Sequence, residues 1–187
     1  MARPLLLFTI IIGVLFGFSL FILWLVAITH KVKFHVAGAD LTQFNLTDDD
    51  QLLYNLDLNI TAGNPSQRFG INFDNIQVAV LYHDIEFGNT TLAPFYQGQD
   101  GTRLLRMKFD GQRPVKLDAV RLAVFTLEQI AEIFSIQVEL RLKIRVNVAV
   151  VKIKLNPKVD CGFNVPLLSR RRSSFLRFRI IGCRVRY

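Results

Sequence analysis

Cysteine is nearly missing from this 187-residue chain, which has only Cys161 and Cys183. Neither belongs to a Cys-x-x-Cys or zinc-type arrangement, which excludes a dithiol redox motif and a thiolate metal centre. In an oxidising compartment the two would pair; in cytosol they would be two buried thiols. Histidine is almost as scarce, with His30, His35 and His83. The first two follow the hydrophobic N-terminal run and read as interfacial residues. His83-Asp84-x-Glu86 has metal-binding donors, but neighbouring strand residues point to opposite faces, so no metal site is expected. The chain has no Gly-x-Ser-x-Gly elbow, phosphate-binding Gly-rich loop, His-Glu-x-x-His or Gly-x-Gly-x-x-Gly. Asp48-Asp49-Asp50 reads as a solvated polar turn, not a catalytic pair. A hydrolase therefore lacks its nucleophile and base, and the reading is a non-enzyme with no catalytic residue and no cofactor.

Charge is absent from Leu5 to Ile28, where only the hydroxyls of Thr9 and Ser19 interrupt apolar sequence. At about 1.5 Å per residue, a helix over this run reaches roughly 36 Å, against a hydrocarbon core of about 30 Å. Trp24 suits the water–lipid interface. The run exceeds the apolar core of a secretory signal and no Ala-x-Ala directly follows it, the first being Ala37-Gly38-Ala39 well beyond its end, so a retained anchor is expected. The chain divides into a short tail (1–4), a transmembrane signal anchor (5–28) and one domain (29–187).

Acids are scarce at the other end. From Val138 onward there are 13 Lys/Arg and 2 acids; before it there are 10 and 13. This gradient suits phospholipid headgroups, a cell-wall polyanion or nucleic acid; alternatively, the basic residues are the solvated face of late strands. Arg170-Arg171-Arg172 is its densest point and falls in a loop. No aromatic residues flank a basic groove as in nucleic-acid-binding modules, so no nucleic-acid partner is expected.

Two signals for sidedness oppose each other. Arg3 before the run and Lys31 and Lys33 after it are nearly balanced. Asn45, Asn59 and Asn89 each head an Asn-x-Ser/Thr sequon, where chance gives about one, and they favour a lumenal or extracellular domain.

The domain reads as strands. Gln51 to Ala62 alternates, with Leu52, Tyr54, Leu56, Leu58 and Ile60 on one face. Asn64-Pro65 ends it. Further strands are expected at Ile76–Tyr82 and Thr102–Phe109, with an edge strand or loop at Leu92–Gly98. Val115 to Phe134 has helical character, with Leu127, Ile130, Ala131 and Phe134 in one phase. Ser135 to Val150 alternates most strongly; its phase flips at Val151 and again at Ile180-Ile181, as a β-bulge would cause. Many strands, frequent turn residues and one helix favour an antiparallel β-sandwich. A high apolar content and ordered strands argue against a desiccation protectant with a disordered mode of action.

Several motifs carry a resemblance: His30-Lys-Val-Lys-Phe-His-Val36, Ala39-Asp-Leu-Thr-Gln-Phe-Asn45, Asn64-Pro65, Val80-Leu-Tyr82, Pro94-Phe-Tyr-Gln-Gly98, Cys161-x-Phe163-x-Val165-Pro166 and the late Cys183. In this order, after an anchor, they resemble the plant harpin-induced, non-race-specific disease-resistance-like proteins, which carry a late-embryogenesis-abundant group 2 domain. The resemblance implies an all-β, seven-stranded sandwich of immunoglobulin/fibronectin-III-like form with one short helix. It also implies a role in defence and stress without enzyme activity, at the plasma membrane with the domain facing the apoplast. Binding of a protein, a cell-wall polyanion or lipid is the expected mode, with lipid transfer at a membrane contact as the alternative. Family members usually have a longer basic tail before the anchor than Met1–Pro4, which suggests a shortened or alternative start. The ending Arg184-Val-Arg-Tyr187 has no apolar lipid-anchor signal.

Overall fold

The computed structural model describes residues 2–29, 32–148, 151–168 and 178–187, with side chains in the first helix described over 8–22. It divides into two units, Met1–Lys31 and Val32–Tyr187.

The first unit is a helix, α1 (Ala2–Thr29), of 28 residues. Pro4 falls in its first turn, where a missing N–H costs nothing. Over 8–22 apolar side chains are exposed all round, from Ile22 at 45% to Phe16 at 66%. Among the described residues, no helix is long and apolar enough to cross a membrane.

The second unit is a two-sheet β-sandwich. Its strands are β1 (Lys33–Leu46), β2 (Gln51–Gly63), β3 (Ile71–Tyr82), β4 (Ile85–Leu92), β5 (Phe95–Gln97) and β6 (Thr102–Pro114). After helix α2 (Ala119–Ala131) come β7 (Ile133–Val148), β8 (Val151–Leu155), β9 (Lys158–Pro166), β10 (Ile181–Gly182) and β11 (Arg184–Arg186). One sheet has the order β10-β1-β2-β6; the other is β11-β9-β7-β3-β4, with β5 on β3 and β8 on β7. Eleven strands are described where seven were expected; β1, β2, β3, β4, β6, β7 and β9 are the long ones, and the other four are pieces of two to five residues.

The alternation places the core. Leu52, Leu56, Leu58 and Ile60 of β2 are buried, as are Val138, Leu140, Leu142 and Ile144 of β7. Aromatic rings join the sheets. Phe44 of β1 meets Tyr82 and Phe87 with ring centres 5.3 Å apart, and Phe134 at 4.8 Å. Such edge-on contacts are favoured by the ring quadrupole.

Four details depart from the sequence reading. First, the phase flip at Val151 is a hairpin, not a bulge: Val148 pairs with Val151 and Ile144 with Leu155, so the chain reverses. Ala149-Val150 lacks the Asn or Gly that signals such a reversal, and both residues lie outside the described ones. Secondly, β3 starts at Ile71. A register shift between Phe73 and Asn75 changes the phase and hides the first part of the strand from an alternation count. Thirdly, no strand runs through Ile180-Ile181: β10 begins at Ile181, and the chain changes sheet at Cys183, since β10 pairs with β1 and β11 with β9. Fourthly, α2 buries Phe125, not the stripe read from the sequence: Leu127 and Ile130 are 67% and 77% exposed, and Phe134 belongs to β7.

Candidate functional site

Cys161 and Cys183 are bridged by a disulfide. Its position follows from the change of sheet. Cys161 lies on β9, while Cys183 lies between β10 and β11 and donates its backbone N–H to the Phe34 carbonyl at 2.9 Å. The bridge therefore fixes the C-terminal segment where it passes from one sheet edge to the other.

The three sequon asparagines all fall on strands. Asn45 and Asn89 are exposed, near the end of β1 and on β4, and Asn89 Nδ2 donates to Glu86 Oε1 at 2.7 Å. Asn59 is half-buried on β2, between Gly38 and Arg106 on the adjoining strands. Arg170, Arg171 and Arg172 lie outside the described residues.

His83 and Asp84 form the two-residue turn between β3 and β4, both with positive φ (45° and 68°). This is the backbone a tight hairpin requires, and Asp tolerates it. Among the described residues, no group of three or more His, Cys, Asp or Glu side chains could hold a metal ion. Asp50 ends the Asp48–Asp50 turn in a left-handed conformation, and its carbonyl accepts from the Val115 N–H at 2.8 Å.

The fold assembles two polar clusters, of which the sequence marks Asn64-Pro65 in the second. In the first, Glu128 of α2 accepts from the Tyr82 hydroxyl at 2.8 Å and from the Ser135 N–H at 3.3 Å, with His83 Nε2 at 3.9 Å. Burial, then the Glu128 carboxylate, pushes the Tyr82 hydroxyl's pKa well above its ordinary value. In the second, buried Asn64 donates to the carbonyls of Phe69 and Gly98 at 2.9 Å and accepts from the Ser66 N–H at 3.1 Å. The Asn64-Pro65 motif is thus the clasp of the β2–β3 connection. Neither cluster pairs a nucleophile with a base.

On the outer face of the β7 sheet, Arg145 grips Asp74 with two hydrogen bonds of 2.6 and 2.7 Å. The Arg145 guanidinium holds the Asp74 carboxyl below the usual carboxylate range.

The late embryogenesis abundant protein family profile matches residues 59–161. NDR1/HIN1-like protein 3 of Arabidopsis thaliana is 38% identical over 169 residues, covering 89% of this chain and 73% of that protein. The chain belongs to the NDR1/HIN1-like, late embryogenesis abundant family. NDR1/HIN1-like protein 10 of Arabidopsis thaliana is 36% identical over 79% of this chain and 66% of its own length. NDR1/HIN1-like protein 2 of the same plant is 36% identical over 87% of this chain and 68% of its own length. For an NDR1/HIN1-like chain, Asn64 and the Cys161–Cys183 bridge acquire concrete structural roles: one closes a turn, the other fastens the C-terminus. The family is generally non-enzymatic, and membership implies a plant defence or stress role.

Proposed function

We propose that this chain is a membrane-anchored, non-enzymatic binding protein of plant defence and stress responses, with α1 as the anchor and the sandwich displayed on the apoplastic side of the plasma membrane. The observation that carries the reading is α1 in a chain of this family. The uncharged run from Leu5 to Ile28 extends beyond the side chains described over 8–22, and a helix apolar on every side suits lipid. Three further features support an exported domain: the disulfide, which persists in oxidising compartments, and exposed Asn45 and Asn89 as glycan acceptors. The domain binds rather than catalyses, through a protein, wall polymer or lipid partner.

The alternative, a lipid carrier with an acyl chain between the sheets, finds less support. The inner faces are closed by the Phe44, Tyr82, Phe87 and Phe134 rings, and an acyl chain would have to part them.

Glycosidase treatment of the protein from plant membranes, after alkaline carbonate washing, tests the reading. The expected result is retention in the pellet and a mobility shift that Asn45→Gln with Asn89→Gln reduces. Release into the supernatant would remove the anchor; an unchanged mobility would count against export.

A further inference from the structure

The outer face of the β7 sheet carries a long stripe of one charge. β8 and β9 follow one line along β7: Ile144 pairs with Leu155 and Arg141 with Lys158, so the register runs unchanged past Pro157. Alternate residues of this two-stranded ribbon face solvent. On β7 they include Arg141, Lys143 and Arg145; along β8 and β9 they include Lys152, Lys154 and Lys158, and all six are exposed. At about 3.4 Å per residue, Lys152 to Lys158 spans about 20 Å.

Arg141 lies opposite Lys158, Lys158 opposite Arg186, and Arg145 opposite Lys154. Like charges directly opposite across strands destabilise a sheet, because their Cβ atoms lie about 4.5–5.5 Å apart. Asp74, Glu139 and Asp160 offset Arg145, Arg141 and Arg186. Among the described residues, Lys143, Lys152, Lys154 and Lys158 make no ion pair. Cations gathered against their own repulsion and left unpaired suit an external anion.

The shape of the face narrows the choice of anion. Three shallow hollows, of about 280, 190 and 320 Å³, open on it and join end to end. Gln77 and Arg141 line both the first and the second, and Lys143 and Asn156 line both the second and the third. Gln77 lies opposite Arg141 and Asn75 opposite Lys143, so each of these cations has an amide beside it. Joined hollows in a line fit an extended chain better than a flat plane of anions or a compact ligand. The planar Arg141 guanidinium matches a carboxylate, the lysines add point charge, and the amides donate to and accept from hydroxyls. A nucleic acid would use aromatic stacking platforms, and no aromatic side chain lines the three hollows.

We propose that this trough binds a polyuronate, a linear polysaccharide with a carboxylate and free hydroxyls on each sugar. Arg141, Lys143, Lys154 and Lys158 pair with successive carboxylates, and Gln77 and Asn156 hydrogen-bond the hydroxyls between them. Binding relieves the repulsion between the opposed cations. The proposal rests on the reading of the domain as a binding protein and names its partner.

The experiment titrates the full chain, in neutral detergent at neutral pH without calcium, with polygalacturonate, its methyl ester, polyglutamate and single-stranded DNA. Polygalacturonate is expected to bind about tenfold more tightly than the ester, which lacks the charge, and than polyglutamate, which lacks the hydroxyls. K143Q/K158Q should weaken polygalacturonate binding about tenfold, since one exposed ion pair contributes up to roughly fivefold. K108Q/K116Q, on residues outside the trough, should leave it unchanged. Q77A/N156A should narrow the preference for polygalacturonate over polyglutamate. Equal binding of the ester, or an unchanged affinity in K143Q/K158Q, would overturn the proposal. So would equal or tighter binding of polyglutamate, which would make the partner an acidic protein, or tighter binding of the DNA. Binding in detergent depends on neither membrane insertion nor export. The carbonate and glycosidase tests above therefore fail or succeed separately from this one.

Discussion

Tyr82 shows how much one hydroxyl can hold. It is 1% exposed at the end of β3, and its hydrogen bond to Glu128 ties α2 to the sheet. The folded protein keeps a proton that the unfolded chain releases near the ordinary tyrosine value of 10.0. Stability from this group is therefore complete below that pH and declines as the solution becomes more alkaline. Tyr82→Phe removes a bond to a carboxylate and is expected to cost about 1.5–3 kcal/mol at neutral pH. It should also flatten the alkaline decline. Urea denaturation of the full chain in detergent, at neutral pH and above pH about 10, measures both. Identical curves for variant and parent would show that the pair contributes nothing.

At the scale of the element, α2 is the least committed part of the sandwich. Asp118 caps it, with Oδ1 accepting from the Arg121 N–H at 2.8 Å, and Glu132 ends it in a left-handed conformation. These local signals make the helix; tertiary contact with it is slight. Phe125 is its one buried residue, set against Phe44, Tyr82 and Phe134. Phe125→Ala is therefore expected to cost about 3–5 kcal/mol, with faster amide exchange through Ala119–Ala131. Leu127→Ala and Ile130→Ala, at exposed positions, should each change stability by less than about 0.5 kcal/mol. Exchange mass spectrometry on the three variants separates the two faces. Slowed exchange in Leu127→Ala would leave this account standing, whereas loss of α2 protection there would show that the spaced stripe packs after all.

For the whole molecule, closure of the sandwich depends on the C-terminal segment. Its two short strands lie on different sheets, and short strands contribute few ladder bonds of their own. The disulfide compensates by constraining the unfolded chain across a separation of 22 residues. Chain-entropy reasoning gives about 3 kcal/mol for such a loop. Cys183→Ser in the full chain is expected to lose about that much and to expose the β11 amides, Arg184–Arg186, to exchange. A parent and variant of equal stability, with β11 still protected, would show that strand pairing alone closes this edge.

The strongest alternations, in β2 and β7, were legible because one face of each strand is buried and its side-chain period is two. The uncharged N-terminal run was legible for a similar reason: a helix without a polar face needs no tertiary information to be recognised. The later half of the chain resisted. A hairpin that pairs Val148 with Val151 and a bulge produce the same change of phase in a one-dimensional pattern, and only the partner strand tells them apart. The face of α2 was misread because Leu127 and Ile130 follow a helical period without being buried, and periodicity records spacing, not contact. The basic residues after Val138 were countable from the sequence. That Arg141, Lys158 and Arg186 stand in one row was settled by strand register, because residues distant in the chain become neighbours only when the sheet forms. Composition and periodicity thus fixed an apolar helix and a half-buried β domain, while tertiary pairing decided where the chain turns, which helix face is covered and where its charge collects.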